Sequence, residues 1–142
     1  MTLMFIDTNI PMYAAGAPHT LREPSQRVIA AIVSGDIDAV TDAEVFQEIL
    51  YRYFRVGERA KGFTVFDSFY RIMLGRILPV DDADISGARR LAARYPALSP
   101  RDLIHASVAL HHQALDVITA DRGFDLVDGL RRLDPSDFAS RG

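Results

Sequence analysis

Apolar residues follow two rhythms along this chain. Short apolar-rich runs at residues 3–6, 36–40, 77–80 and 116–119, with 130–133 as a fifth, fit buried strands. Between them, apolar positions recur every three or four residues, as on one face of a helix. The first run ends in Asp7-Thr8-Asn9-Ile10-Pro11, a turn leading into a helix. Val28, Ile29, Ile32 and Val33 predict a helix over residues 24–34, stopped by Gly35. Val45, Phe46, Ile49, Tyr53 and Val56 predict another over 41–56, opened by Thr41, and Gly62 precedes a third over 63–76. The last two form a helical hairpin with a short connection. Asp82 or Asp84 is expected to cap a helix reaching Tyr95, and Ser99-Pro100-Arg101-Asp102 to open one reaching His112.

Strands alternating with helices predict an α/β protein, a three-layer α/β/α sandwich around a central twisted parallel sheet of four to five short strands. No repeat, low-complexity run or linker interrupts the pattern, so a single domain over 1–142 is expected.

Composition narrows the chemistry. The absence of cysteine excludes disulfides and thiolate metal sites and suits a reducing compartment. The N-terminal apolar run is too short for a signal peptide or membrane span, and no basic segment precedes it, so a cytoplasmic protein with no membrane partner is expected. A net charge of −3 argues against a generic nucleic-acid coat protein. The cations are lopsided: 15 arginines and one lysine, Lys61. Arginine suits bidentate phosphate recognition better than lysine does.

Ligands of open α/β sheets bind at the carboxyl ends of the strands. Asp7 and Asp121 follow the first and fourth strands, Asp102 opens the helix before the fourth, and Glu48 lies in the second turn of the helix after the second. Carboxylates facing one another repel unless protonated or bridged by a cation, and an all-oxygen site suits Mg²⁺ or Mn²⁺. Each acid also has a plainer reading: Asp7 as an Asx turn, Asp102 as part of a Ser99-x-x-Asp102 capping box, Asp121 as a turn residue before Gly123. Glu44 competes with Glu48. Thr41-x-x-Glu44 reads as a capping box, and Glu48 lies about 40° nearer the apolar stripe on a wheel of about 100° per residue, so Glu48 is preferred. His105, one turn beyond Asp102, could line the site, but a packed or solvent-facing role is expected. His111-His112 lacks zinc-site spacing. No GxGxxG, P-loop, GxSxG or HExxH motif occurs.

Four segments together resemble the PIN-domain ribonucleases, and among them the VapC-like toxins of type II toxin–antitoxin pairs. They are Phe5-Ile6-Asp7-Thr8-Asn9, the stretch from Glu44 to Tyr51 around Glu48, the stretch from Asp102 to Ala109, and Ile118-Thr119-Ala120-Asp121-Arg122-Gly123-Phe124. Each is unspecific alone, but their order and spacing span nearly the whole chain. The resemblance implies a PIN-like sheet with a protruding hairpin and a metal-dependent endoribonuclease. It places Asp7, Glu48, Asp102 and Asp121 as both catalytic and metal-binding residues for Mg²⁺ (or Mn²⁺). Thr8 or Asn9 would assist the first acid and Thr119 the last. Asp125 is an alternative to Asp121, which is favoured. The resemblance further implies an RNA substrate, a small cognate antitoxin and a homodimer.

Arg52, Arg55, Arg59, Arg101 and Arg122 could offset the acidic pocket toward RNA. The aromatics between Tyr51 and Tyr70 exceed the needs of one helix face and suggest an interface for antitoxin or a second copy. Two other classes compete: a Mg²⁺-dependent phosphoryl-transfer domain of receiver or haloacid-dehalogenase type, and a non-catalytic RNA-binding or protein-interaction module of the same fold. The first needs a lysine near the site, and Lys61 falls in the hairpin.

Overall fold

A computed structural model describes residues 2–139; Met1 and residues 140–142 of the expected 1–142 domain lie outside the described residues. Five strands, β1 (Leu3–Ile6), β2 (Asp38–Asp42), β3 (Ile77–Leu78), β4 (Asp116–Ile118) and β5 (Arg131–Leu133), pair in parallel in the order β3-β2-β1-β4-β5. Met4 sits opposite Ala39 on one side and Asp116 on the other, so β1 is central. The order reverses between β1 and β4: the chain first builds outward through β2 and β3, then returns to the far side of β1. Such a switch point leaves a crevice at the carboxyl ends of the two strands.

Among the described residues, seven helices cover the sheet: α1 (Asn9–Ala15), α2 (Arg22–Ser34), α3 (Ala43–Arg55), α4 (Arg59–Ile72), α5 (Asp82–Arg94), α6 (Pro100–His111) and α7 (Pro135–Ala139). Right-handed crossovers require α1–α4 on one face and α5 and α6 on the other. The packing agrees, with α1 against α2 and α4, α2 against α7, and α5 against α6. Phe5, Ile6, Val117 and Ile118 are fully buried, as expected of strands covered on both faces.

The expected helix boundaries hold where local chemistry fixes them. Gly35 ends α2 at φ +81°, a left-handed conformation that glycine adopts without a Cβ penalty. Ser99 caps α6, accepting the Asp102 amide at 3.2 Å, with Pro100 at the first helical position. Two expectations need correction. Helix α3 is capped by Asp42 rather than Thr41: the Asp42 carboxylate accepts the Val45 amide at 3.0 Å, while the Thr41 hydroxyl donates across the sheet to the Ile6 carbonyl at 2.9 Å. Helix α5 is capped by Asp81, in a reciprocal capping box with Asp84, rather than by Asp82 or Asp84.

In the hairpin of α3 and α4 most of the aromatics pack on one another. The ring of Phe46 lies 5.2–5.6 Å from those of Phe66, Tyr70 and Phe69, and Phe54 lies 5.7 Å from Phe63. The helices approach closely at Gly62, where a Cβ would lie 2.8 Å from the Tyr53 Cβ. The apparent aromatic surplus is therefore largely the hairpin's own core, with Tyr51, Phe63 and Tyr70 left partly exposed. No helix of the described residues is long and apolar enough to cross a membrane.

Candidate metal centre and active site

The switch-point crevice is lined by polar groups that the surrounding core should exclude unless they are paired. Asp7, Thr8, Asp42, Glu48, His105 and Thr119 are all buried. Asp7 follows the last residue of β1. Its Oδ1 accepts the Thr8 amide at 2.7 Å, and its Oδ2 accepts the Thr119 hydroxyl at 2.7 Å and the Asn9 amide group at 3.3 Å. Thr119, just beyond β4, also accepts from Asn9 at 2.9 Å and from the Asp121 amide at 3.0 Å. A hydroxyl has one proton to give, and this one gives it to Asp7. Asn9 closes the ring by accepting the Ala120 amide at 3.3 Å.

Glu48 reaches the same crevice from α3. Its Oε1 accepts the Thr8 hydroxyl at 2.8 Å and lies 3.3 Å from His105 Nε2, while its Oε2 faces Arg52 at 3.5 Å and Arg101 at 3.9 Å. Glu44, the alternative, is half-buried at the edge of the crevice. Burial raises its carboxyl above the ordinary range, and Asp42 and Glu48 add to this. Glu48 is thus the glutamate whose carboxylate meets Thr8 and His105, while the capping argument that favoured it does not hold.

His105 departs from its expected role. It is fully buried at the centre of the crevice, with Nδ1 2.8 Å from Asp42 Oδ2 and Nε2 within 3.8 Å of Asp7 Oδ1. Burial disfavours the charged ring, but Asp42, Glu48 and Asp7 outweigh it and push the imidazole well above its usual range. The surrounding carboxylates thus favour the charged ring. The same pairing acts on Glu48: burial opposes ionisation, but the bonds from His105 and Thr8 prevail and hold its carboxyl low.

Asp102 and Asp121 complete the set from the other side. Burial, a side-chain hydrogen bond with Asp121 and the charges of Asp7 and Asp121 raise Asp102 to about 7. Asp121 also caps the short 3₁₀ turn Arg122–Leu126, accepting the Gly123 amide at 2.9 Å. Asp121 thus combines a local structural task with a place in the crevice, whereas Asp102 gives only its backbone amide to the Ser99 cap. Asp7 is raised as well, by burial above all, against the pull of His105 and Thr119. Asp125 is turned away and pairs with Arg132 at 2.9 Å. Arg59 packs on the Phe54 ring, 4.0 Å from its centroid, and Arg122 is exposed.

The donor set fits a hard divalent cation. Asp7 and Glu48 bring carboxylate oxygens together beside His105, all within 4.8 Å of one another, and Asp102 and Asp121 adjoin them. His105 is outnumbered by Asp7, Asp42, Glu48, Asp102 and Asp121, and burial together with the charges of Asp7 and Asp121 raises the Asp102 carboxyl. A cation bound among these oxygens would relieve that repulsion directly.

A parallel sheet with acids gathered at its switch point defines a class, and the sequence matches the PIN domain family across residues 4–130. The chain belongs to that family. It is similar to ribonuclease VapC13 of Mycobacterium tuberculosis, at 38% identity over 92% of this chain and 99% of the relative. It is also similar to ribonuclease VapC23 of the same species, at 35% identity over 84% of this chain and 93% of the relative. Among solved structures, DNA-bound VapBC from Salmonella typhimurium superposes with a TM-score of 0.71 at 19% identity, over 95% of this chain and 99% of that one. FitAcB from Neisseria gonorrhoeae superposes with a TM-score of 0.71 at 20% identity, over 94% and 98%. These two likenesses concern the fold.

Asp42 was not singled out for the crevice by the sequence, and His105, one turn after Asp102, was weighed for it and set aside. A signal for the first was available: Asp42 ends β2 as Asp7 follows β1.

Proposed function

We propose that this chain is a metal-dependent endoribonuclease and the toxin of a toxin–antitoxin pair. The observation that carries the reading is the convergence of Asp7, Glu48, Asp102 and Asp121 at the switch point with more negative charge than His105 can balance. The names of its relatives support the same reading: ribonucleases at 38% and 35% identity over most of both chains. Mg²⁺ is the preferred ion, with Mn²⁺ as the alternative, because the outward donors are oxygens.

Asp7, Asp102, Asp121 and Glu48 would hold the ion. When bound, it would supply an activated water and a clamp on the phosphoryl oxygens. The chain's residues do the rest. Thr8, Asn9 and Thr119 fix both oxygens of Asp7, and His105 holds one oxygen of Glu48 so that the other faces the crevice mouth. Glu48 can then orient or deprotonate an incoming water. Lys61 is exposed on α4, which disfavours receiver-type or dehalogenase-type phosphoryl transfer.

The proposed partners are RNA, a cognate antitoxin and a second copy of the chain, in the cytoplasm, with residues 1–142 as one domain. Toxin–antitoxin assemblies among the fold neighbours support the antitoxin. The decisive experiment compares RNA cleavage by wild type and Asp7→Ala, with Mg²⁺ and with EDTA. Cleavage is expected only for wild type with metal. Equal cleavage by both proteins, or cleavage in EDTA, refutes the reading. Growth arrest on expression, abolished by the same substitution, distinguishes a toxin from a housekeeping nuclease.

A further inference from the structure

Between α1, α3 and the start of α6 lies a groove of about 550 Å³, lined by Asn9, Tyr13, Tyr51, Arg52, Arg55 and Arg101 among others. It is continuous with the acidic crevice. Asn9 bonds to Asp7, while Arg52 and Arg101 face the outward oxygen of Glu48 at 3.5 and 3.9 Å. Both guanidiniums remain substantially exposed, with side chains 49% and 36% accessible, so each retains donors beyond its contact with Glu48. Arg55 adds a third cation, and its guanidinium donates to the Tyr51 hydroxyl at 2.9 Å. Arg101 stands 5.3 Å from the centroid of the Tyr51 ring. Tyr51 is therefore held by arginines at its tip and over its ring, yet remains 42% exposed.

Met12 and Val56 add apolar surface to the groove, but three arginines around an exposed, oriented ring fit an anionic ligand better than an apolar protein face. Three arginines beside a single acid make the groove locally positive, next to a crevice that is strongly negative. A polyanion is drawn to the groove and repelled by the crevice until a cation occupies it. An oriented, exposed ring among guanidiniums is a platform on which an unpaired base can stack, while the arginines take the neighbouring phosphates in bidentate fashion. A base inside a duplex is already stacked on both faces and cannot use it.

We propose that the groove is a subsite for single-stranded RNA, in which Arg52 and Arg101 bind a phosphate next to the acidic crevice and Tyr51 stacks an adjacent base. The proposal deepens the ribonuclease reading and rests on it.

The test measures fluorescence anisotropy of a labelled single-stranded oligoribonucleotide on the full chain carrying Asp7→Asn, which lowers the negative charge of the crevice and keeps the probe intact. Adding Tyr51→Ala is expected to weaken binding about tenfold, the range typical of losing one stacked base, and Tyr51→Phe to restore it. Replacing Arg52 and Arg101 by Gln should flatten the slope of log affinity against log salt by about 0.7 per arginine. A duplex of the same sequence should bind at least about tenfold more weakly. With Asp7 intact, Tyr51→Ala should raise KM for the single strand and leave kcat within about twofold.

Unchanged single-strand affinity in folded Tyr51→Ala overturns the subsite, as does equal binding of duplex and single strand. Unchanged RNA affinity together with an altered oligomeric state assigns the face to a protein interface instead. The two readings fail separately. Cleavage by wild type with no dependence on Tyr51 sinks the subsite alone, whereas Tyr51-dependent binding without any cleavage sinks the ribonuclease alone.

Discussion

Among the described residues, two places gather acids around a histidine, and one of them has the character of a site. At the start of α5 and the end of α6, Asp81, Asp84 and His111 present ligand atoms as close together as those of Asp7, Glu48 and His105. There each group is locally accounted for. Asp81 and Asp84 cap α5 reciprocally, and His111 Nδ1 lies 2.8 Å from Asp84 Oδ1 with its side chain half exposed. In the crevice the histidine is fully buried and the acids outnumber it. One of them is raised to about 7 by burial and its neighbours' charge. Proximity of donors is common to both; uncompensated buried charge distinguishes one. A capped helix start satisfies its carboxylates with backbone amides, and nothing is left for an ion.

Several measurements can break or sharpen this contrast. The largest difference is expected from the histidines. His105→Ala leaves buried carboxylates without the ring that faces them and should cost about 3–5 kcal/mol in metal-free protein, with partial recovery on adding Mg²⁺. His111→Ala should cost far less. Denaturant unfolding in EDTA compares them, and equal losses would erase the distinction.

Next comes ion linkage. Mg²⁺ at about a hundred times its dissociation constant should stabilise wild type by about 2.7 kcal/mol, visible as a rise in melting temperature. Asp7→Asn should abolish that rise and Asp81→Asn should keep it. The reverse pattern would move the metal to the second cluster.

A smaller effect is expected from pH. Asp102, raised to about 7 from 3.8, binds a proton in the folded chain that the unfolded chain has released between those values. Its contribution is therefore fully present below pH 3.8 and lost as pH rises through about 7. His105 and Asp7 are also raised and act in the same direction, while Glu48 is lowered and acts oppositely at acid pH. Metal-free wild type should lose stability from pH 5 to pH 8 by calorimetry, and Asp102→Asn should flatten the curve. An unchanged slope would show that Asp102 does not hold the shared proton.

The smallest effect belongs to Asp125. It sits on the surface against Arg132, and Asp125→Ala should cost about 0.5 kcal/mol or less and leave cleavage intact. A large loss of cleavage would bring Asp125 back as a rival to Asp121.

The sheet and its acids were legible in the sequence because their signals are local. Apolar runs ending in Asp7 and just before Asp121 mark strand ends, and Gly35 and Ser99-Pro100 mark helix boundaries by backbone conformation and capping. What the sequence concealed is long-range. The expectation that β2 stops at Val40 treats Thr41 and Asp42 as polar and therefore outside the strand. Both are in fact fully buried, because Thr41 bonds across to the Ile6 carbonyl and Asp42 meets a histidine 63 residues away. The same misplacement produced the Thr41–Glu44 capping box. His105 looked like a packed or solvent-facing residue because nothing near it in sequence reveals two carboxylates arriving from α3 and β2. The aromatic surplus of the hairpin misled for a related reason: one helix was counted alone, whereas Phe46 faces Phe66, Phe69 and Tyr70 on the next.

The central position of β1 has a consequence in time as well as in space. Its carboxyl end becomes a complete crevice only when β4, more than a hundred residues later, pairs alongside it and brings Thr119 and Asp121 to Asp7. Contacts this distant along the chain form late in folding. During synthesis, Asp7 and Glu48 leave the ribosome long before their partners exist. The crevice therefore cannot be assembled until the chain has been made through β4 and Asp121.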